Sequence, residues 1–203
     1  IKNIFLEKGF LDTEVNIIQR DDTAQANTII LDINVNKKEK VKIQDVILHG
    51  NKEVKSLVLE RSMKKTNAKK LVNFFRTKKY LADKLREDKV NLVKKYNQKG
   101  YRDAVVVRDT VYKSGKKNRV NVELWLEEGN KYYFRDIKWV GNTVYPADYL
   151  STFLGIKKGD VFDQKLLNKR LTEDEDAVLN IAYQDNGYLF SQIDPVEVNI
   201  EKD

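Results

Sequence analysis

One hexapeptide pattern occurs three times and constrains the fold of this chain more than any other feature. An aromatic residue, three intervening residues, a glycine and a second aromatic residue appear as FLEKGF at 5–10, YNQKGY at 96–101 and YQDNGY at 183–188. Glycine commonly follows a helix C-terminus, because the backbone there adopts a left-handed conformation. Each hexapeptide therefore predicts a helix-to-strand corner, with the first aromatic residue in the last helical turn and the second at the start of the next strand.

The corners belong to a longer repeat with an offset of 91 residues. At this offset residues 1–51 match residues 92–142 without a gap, and the alternating apolar residues at 29–35 fall on those at 120–126. A shared apolar pattern with shared turn residues indicates tandem copies of one structural unit. The structural residues of this repeat are Gly9, Gly50, Asn51, Gly100, Tyr101, Gly141, Asn142, Gly187 and Tyr188.

The complete copy, residues 41–131, predicts the element order β-α-α-β-β. Apolar residues at 41, 43, 46 and 48 indicate a strand whose alternation changes phase near Asp45, as a β-bulge produces. Gly50-Asn51 is a turn signal, since both residues tolerate a positive φ. A short amphipathic helix follows, with Val54, Leu57 and Val58 on one face.

A second helix and two strands complete this copy. Asp83 is the predicted N-cap of the helix, whose apolar face carries residues 85, 92, 93 and 96. Residues 104–111 and 120–126 predict strands joined near 113–116. The last copy contains the acidic run 172–176, which interrupts the apolar face of its second helix and predicts a kink or a solvated bulge.

This order of elements, with its Gly-Asn turn and its Gly-Tyr corner, resembles the POTRA domains of BamA-type outer-membrane protein assembly factors. The resemblance implies an α+β fold of tandem β-α-α-β-β domains, each a three-stranded mixed sheet packed against two helices. We expect the C-terminal half of one domain at 1–40, a complete domain at 41–131, and a domain without its last strand at 132–203. The resemblance also implies a periplasmic location at the bacterial outer membrane, with unfolded barrel precursors and accessory assembly lipoproteins as partners.

The residue types do not support an enzyme. The chain has no cysteine and one histidine, His49, which excludes thiol catalysis and cysteine-based zinc sites. Neither a glycine-rich phosphate loop nor a nucleophile–base pair is evident, and the acidic run lacks the spacing of a calcium loop. We therefore expect no catalytic residue, no metal and no cofactor.

The charge distribution suggests a partner site. Residues 52–102 contain 17 Lys and Arg against five Asp and Glu. A candidate patch for a partner or for anionic lipid headgroups consists of Lys64, Lys65, Lys69, Lys70, Phe74, Phe75, Lys78 and Lys79. Three interpretations remain: solvated helix surface, contact with lipid or an acidic partner, and nucleic-acid binding, which we do not expect.

The valine-rich segment 103–111 is the candidate site for binding a precursor strand. An unpaired sheet edge can accept an extended chain through backbone hydrogen bonds, with little demand on side chains. Charged residues flank the valines of this segment, as they do in protected edges. The candidate residues are Asp103, Ala104, Val105, Val106, Val107, Arg108, Asp109, Thr110 and Val111. A pure scaffold, or the POTRA segment of a two-partner secretion or other translocation pore, remains an alternative.

Overall fold

The middle copy folds with the predicted β-α-α-β-β order. The computed structural model describes residues 1–25, 27–66 and 78–197. Two compact units are present, one formed by residues 1–92 and 106–126 and the other by 93–105 and 127–203. The helices and strands are α1 (Lys2–Glu7), β1 (Glu14–Asp21), β2 (Ile29–Asn36), β3 (Lys42–His49), α2 (Ser56–Ser62), α3 (Ala82–Asn97), β4 (Val105–Lys113), β5 (Arg119–Glu127), α4 (Ala147–Leu154) and α5 (Gln164–Asn168).

The sheet of the middle copy has the strand order β3-β5-β4. β3 runs parallel to β5, in a register from Lys42 opposite Arg119 to His49 opposite Trp125. The connection from β4 to β5 spans residues 114–118, which is too short for a parallel crossover, so β4 runs antiparallel to β5. The register shifts between Ile43 and Asp45, which confirms the predicted bulge. The α+β class and the mixed three-stranded sheet are therefore confirmed.

Strand β5 alternates strictly between the core and the solvent-facing side of the sheet. Val120, Val122, Leu124 and Leu126 are buried, and the residues between them are half-buried. In α2 the predicted face was wrong: Leu57 is 57% exposed, whereas Leu59 is fully buried. The helix begins at Ser56, so a period counted from residue 54 is out of phase with the helix.

Helix α3 shows two further differences from the sequence prediction. It begins at Ala82, so Asp83 lies inside the first turn, where it pairs with Arg86 at 2.6 Å instead of capping the helix. Asp88 is fully buried on the same face as Leu85 and Leu92. Its Oδ2 atom accepts three hydrogen bonds from the turn after α2: from the Lys65 amide (2.8 Å), the Thr66 amide (2.6 Å) and the Thr66 hydroxyl (2.8 Å).

All three hexapeptides form the same glycine helix stop, but the second aromatic residue does not begin a strand. β1 and β4 start four residues after it, and no strand follows Tyr188 among the described residues. Gly9, Gly100 and Gly187 have φ values of 86°, 91° and 89°. In each corner the amide of the second aromatic residue donates to the carbonyl of the first, over 2.9–3.1 Å. The two rings of each pair meet edge to face, with centroids 6.0–6.2 Å apart. The corner is thus a glycine helix stop with an aromatic pair packed across it.

The carbonyl of each of the first two corner glycines holds the first residues of the next copy. The Gly9 carbonyl accepts from the Val41 amide at 3.1 Å, and the Gly100 carbonyl accepts from the Tyr132 amide at 2.8 Å. A Cβ atom on Gly9 would lie 2.4 Å from the Tyr80 carbonyl oxygen, and one on Gly100 would lie 2.7 Å from Cγ1 of Val161. Glycine is therefore required at these two corners by close packing as well as by its φ.

The Gly-Asn turns use their two residues in different ways. Gly50 and Gly141 have positive φ values of 87° and 80°, whereas neither asparagine does. Instead, the side-chain amide of Asn51 donates to the Val54 carbonyl at 3.1 Å, and that of Asn142 donates to the Tyr145 carbonyl at 3.0 Å. The asparagine thus fixes the chain that leads into the first helix.

The first and last copies differ from the middle one in their sheets. β1 and β2 pair antiparallel as a two-stranded sheet, with Glu14 opposite Asn36 and Asp21 opposite Ile29. In β2, Ile33 is 46% exposed, although its match Leu124 in the middle copy is fully buried. The described part of the last copy has no strand at 132–140. It has one antiparallel bridge, from Tyr133 to Val161, and no described strand takes the central place that β5 has in the middle copy.

The helices of the last copy enclose a separate apolar core. It contains Phe134, Leu150, Leu154, Ile156, Leu171, Val178 and Ala182. Asp163 caps α5 by accepting from the Leu166 amide at 3.0 Å. The predicted interruption is a break between two π-helical turns, Lys169–Glu173 and Leu179–Tyr183. The acidic run there pairs with the preceding basic residues, Asp174 with Lys169 and Asp176 with Arg170, both at 3.1 Å.

Candidate functional site

β4 is an edge strand of the middle sheet, and its outer side has no hydrogen-bonded strand within the described parts of the chain. Val105 and Val107 are 45% and 50% exposed. A row of unpaired backbone donors and acceptors beside half-exposed valines is the arrangement on which an added strand can pair. The geometry therefore provides one free edge of nine residues.

The candidate segment 103–111 and the strand overlap but do not coincide. Val105, Val106, Val107, Arg108, Asp109, Thr110 and Val111 all lie in β4, which continues to Lys113. Asp103 and Ala104 lie in the turn before the strand. The Asp103 carboxylate accepts from the Tyr132 hydroxyl at 2.5 Å, and Ala104 is buried. These two residues hold the corner and do not contribute to the free edge.

The charged residues around the valines point away from the free edge. Asp109 pairs with Lys89 of α3 at 2.7 Å, and the Arg108 guanidinium lies 3.6 Å from the centre of the Trp125 ring. These contacts place Asp109 on the helix side of the sheet and Arg108 on the other side. The side chains are therefore held on the two faces of the sheet, and the edge itself is bordered by backbone groups.

The solvent-facing side of the sheet carries an aromatic and charged cluster that spans all three strands, which the sequence analysis missed. His49 of β3 stacks on Trp125 of β5, with centroids 4.9 Å apart and an interplanar angle of 16°. Since β5 lies between β3 and β4, His49 and Arg108 contact Trp125 from opposite sides. The signal available in the sequence is the polar alternation of β5 at 121, 123 and 125.

Glu123 connects the same cluster through hydrogen bonds. Its Oε1 accepts from the Tyr112 hydroxyl at 2.6 Å, and its Oε2 lies 3.3 Å from Nε2 of His49. The hydrogen bond from Tyr112 and the contact with His49 lower the pKa of Glu123 from its ordinary value. The same bond raises the pKa of Tyr112, because the phenol then donates to a carboxylate. The cluster ties edge strand β4 to the centre of the sheet.

The opposite edge of the sheet is partly covered. The Ile43 amide donates to the Lys78 carbonyl at 2.9 Å, and the Tyr80 amide donates to the Val41 carbonyl at 3.0 Å. The last copy repeats this cover, with the bonds Phe134 amide to Asp160 carbonyl (2.8 Å) and Phe162 amide to Tyr132 carbonyl (2.9 Å). The segment before the second helix therefore bonds to the start of β3 in the middle copy and to residues 132–134 in the last copy, and among the described residues the outer side of β4 has no comparable cover.

The comparison with family models decides the identity of the repeat. The model described as POTRA, surface antigen variable number repeat, matches residues 41–129 and 132–203, which is more than half of the chain. The chain belongs to the POTRA family. The two matched ranges contain the Gly-Asn turns and the last two corners, so the repeat found in the sequence is a repeat of POTRA domains.

Two curated relatives match nearly the whole chain. A putative outer membrane protein assembly factor of Treponema pallidum is 21% identical over 97% of this chain and 23% of its own length. The outer membrane protein assembly factor BamA of Neisseria meningitidis is 21% identical over 95% of this chain and 24% of its own length. The chain thus spans about a quarter of the length of these relatives.

Two solved BamA structures are also similar. A crystal structure of Haemophilus influenzae BamA POTRA3-5 aligns with a TM-score of 0.48 and 15% identity, over 97% of this chain and 72% of that one. BamA of Haemophilus ducreyi lacking POTRA domains 1-3 aligns with a TM-score of 0.39 and 14% identity, over 64% of this chain and 22% of that one.

The predicted basic patch of the middle POTRA domain is only partly within the described residues. Lys69, Lys70, Phe74 and Phe75 lie outside them. Lys64, Lys65 and Lys79 are exposed, and the Lys78 ammonium donates to the Lys64 carbonyl, which brings the two flanks of the segment together. No helix in the described ranges is long and apolar enough to cross a bilayer.

Proposed function

We propose that this chain is the periplasmic POTRA segment of an outer-membrane β-barrel assembly factor, and that β4 binds unfolded barrel precursors by strand addition. The observation that carries the proposal is the free edge of β4, at the opposite side of the sheet from the partly covered edge of β3. The names of the relatives from T. pallidum and N. meningitidis support the assembly role. The proposed location is the periplasmic side of the bacterial outer membrane.

Strand addition suits a receptor for many different precursors. Backbone hydrogen bonds supply the affinity, and each added pair of residues requires only that the incoming chain is extended. Val105 and Val107 provide shallow apolar contacts for alternate side chains of the ligand. The stack on Trp125 keeps Arg108 away from the edge, so an incoming strand does not have to displace a charged side chain.

Accessory assembly lipoproteins are the second proposed class of partner. The cluster of His49, Trp125 and Glu123 lies on the solvent-facing side of the sheet, away from the edge of β4. A partner docked on that side would leave strand addition free. Both partner classes describe a binding module, and neither requires catalysis.

The test is an NMR titration of the whole 203-residue chain with an extended peptide copied from an outer-membrane β-strand. We expect amide shifts concentrated on 105–113, with small changes elsewhere. The matched control is the same peptide N-methylated at alternate residues, in both possible phases. Methylation removes backbone donors while it keeps every side chain, so one phase should abolish the shifts on β4 and the other should retain most of them.

Three results would contradict the proposal. Equal binding by both methylated peptides would mean that the contact uses side chains and not an edge. Shifts concentrated on Lys64, Lys65, Lys78 and Lys79 that disappear at high salt would instead favour an electrostatic site. An absence of shifts even at millimolar peptide would favour a scaffold without precursor contact in this domain.

A further inference from the structure

The connection between β4 and β5 concentrates positive charge that two nearby carboxylates, Asp12 and Glu39, neutralise only in part. The segment 113–119, KSGKKNR, contains four cationic residues and no acidic one, and we call it the basic hairpin tip. Lys113 pairs with Asp12 at 2.6 Å, and its side chain remains 71% exposed. Among the described residues, Lys116, Lys117 and Arg119 have no acidic partner.

The tip encloses one side of a shallow concavity of about 330 Å³. Asp12 is its only acidic lining residue; the others are Val41, Lys113, Ser114, Gly115, Lys116, Lys117, Asn118 and Arg119. The Ser114 hydroxyl oxygen accepts from the Lys116 amide at 3.3 Å, which leaves the hydroxyl hydrogen available to a ligand. Asn118 adopts a positive φ of 55° and donates its side-chain amide to Glu39, which fixes the return of the chain into β5.

We propose that the basic hairpin tip binds the phosphate groups of anionic phospholipids at a membrane surface. Ammonium, guanidinium and hydroxyl groups donate hydrogen bonds, and phosphate oxygens accept them. The cationic groups come from one short turn that is held at both ends, because the Ser114 amide donates to the Arg119 carbonyl at 2.9 Å and the Lys42 amide donates to the Asn118 carbonyl at 2.9 Å.

A membrane surface suits this tip better than a soluble phosphate compound. Sites for small molecules bury most of the ligand against apolar walls, whereas this concavity is open and seven of its nine lining residues are charged or polar. A single soluble anion would therefore be held weakly. A leaflet of anionic lipids presents many phosphates at once, and each lysine near such a surface strengthens binding about 5-fold. The inference goes beyond strand addition and does not depend on it, since the tip and the free edge share only Lys113.

The experiment measures cosedimentation of the 203-residue chain with phosphatidylcholine vesicles, with and without phosphatidylglycerol. We expect binding only with phosphatidylglycerol. The variant Lys116→Gln/Lys117→Gln should bind about 30-fold more weakly, from two lysines at about 5-fold each. The matched control is Lys157→Gln/Lys158→Gln, which removes the same charge from a second exposed lysine pair and should change binding less than about 3-fold.

Further comparisons identify the site and the source of the phosphate. The variant Lys78→Gln/Lys79→Gln tests the basic patch; a loss equal to that at the tip would show diffuse electrostatic attraction and overturn the proposal. Equal losses in the Lys157/Lys158 control would do the same. Far-UV circular dichroism checks that each variant is folded, as we expect for exposed residues. Inorganic phosphate at matched ionic strength should leave vesicle binding unchanged; full displacement would indicate a site for free phosphate and refute the lipid assignment.

Discussion

The corner glycines give the most direct test of the packing between the end of one POTRA domain and the start of the next. Gly100 and Gly187 have nearly the same φ, 91° and 89°. In both corners the glycine amide donates to the carbonyl three residues earlier, and the amide of the second aromatic residue donates to the carbonyl of the first. A Cβ atom on Gly100 would lie 2.7 Å from Cγ1 of Val161 and 3.1 Å from the Tyr132 carbonyl oxygen. A Cβ atom on Gly187 would meet nothing within 4 Å. The pair therefore separates the effect of φ from the effect of contact.

The expected losses in the free energy of unfolding follow from the left-handed φ and from the contacts of the added Cβ atom. An alanine in a left-handed conformation costs about 1–2 kcal/mol, and the stiffer unfolded chain returns about 0.4–1 kcal/mol. Gly187→Ala should therefore lower the free energy of unfolding by about 1 kcal/mol. Gly100→Ala adds overpacking at the start of the next domain, which costs about 1–2 kcal/mol more, since Val161 can move only in part. We expect a total near 2–3 kcal/mol.

Native-state hydrogen exchange is the suitable assay, because it reports the free energy of opening at individual amides. Leu150 and Leu154 are buried in α4, in the same compact unit as both glycines, and their amides serve as reporters. The expected difference between the two variants is about 1–2 kcal/mol, or about 5- to 30-fold in exchange rate. Equal losses would refute the argument, because φ alone would then account for the glycine at both corners.

Three further predictions concern the middle domain. Asp88→Asn should destabilise it by about 2 kcal/mol in urea unfolding, since three donors then lose a charged acceptor. Leu59→Ala should cost about 2–4 kcal/mol in the same assay, whereas Leu57→Ala should cost less than about 0.5 kcal/mol, because only Leu59 is buried. The hydrogen bond from Tyr112 lowers the pKa of Glu123, so its ionised form stabilises the fold above the ordinary glutamate pKa of 4.5, and this contribution is lost as the pH falls through the lower folded value. Glu123→Gln should therefore flatten the decline of stability below about pH 4.5.

Each of these predictions has a clear contrary result. An unchanged urea midpoint for Asp88→Asn would show that the turn after α2 does not depend on the charge. Similar losses at Leu57 and Leu59 would contradict the helix phase described above. If the Gln variant at 123 and the parent chain lose stability in parallel between pH 5 and pH 3, the carboxylate does not exert the inferred effect.

The sequence predicted the elements of the middle domain because their signals are local. The glycine of each corner and the change of apolar phase near Asp45 depend on backbone geometry within a few residues, and both are observed in the structure. The phase of α2 was missed for a physical reason. Val54 is buried but precedes the helix, so it was counted in a helical period to which it does not belong.

The strand of the candidate edge lies where the sequence predicted it at 105–111 but starts later than predicted, and its role in binding stays a prediction. Valine-rich segments favour strands wherever they occur, so 105–111 was found from composition. Ala104 lies in the corner and not in the edge. Its place depends on the aromatic pair and on the hydrogen bond from Tyr132 to Asp103, and the local sequence does not reveal these contacts. The stack of His49 and Arg108 on Trp125 joins residues far apart in the chain and therefore required the sheet order.

The sequence by itself determined the repeat, its corners, its turns and the family of the chain, because these depend on spacing and on residues with special backbone freedom. Tertiary structure decided which of the matched residues are buried. Ile33 and Leu124 occupy equivalent positions, yet the first is 46% exposed and the second is fully buried. Burial requires a covering layer from elsewhere in the fold, and an apolar pattern identifies a face without specifying what covers it.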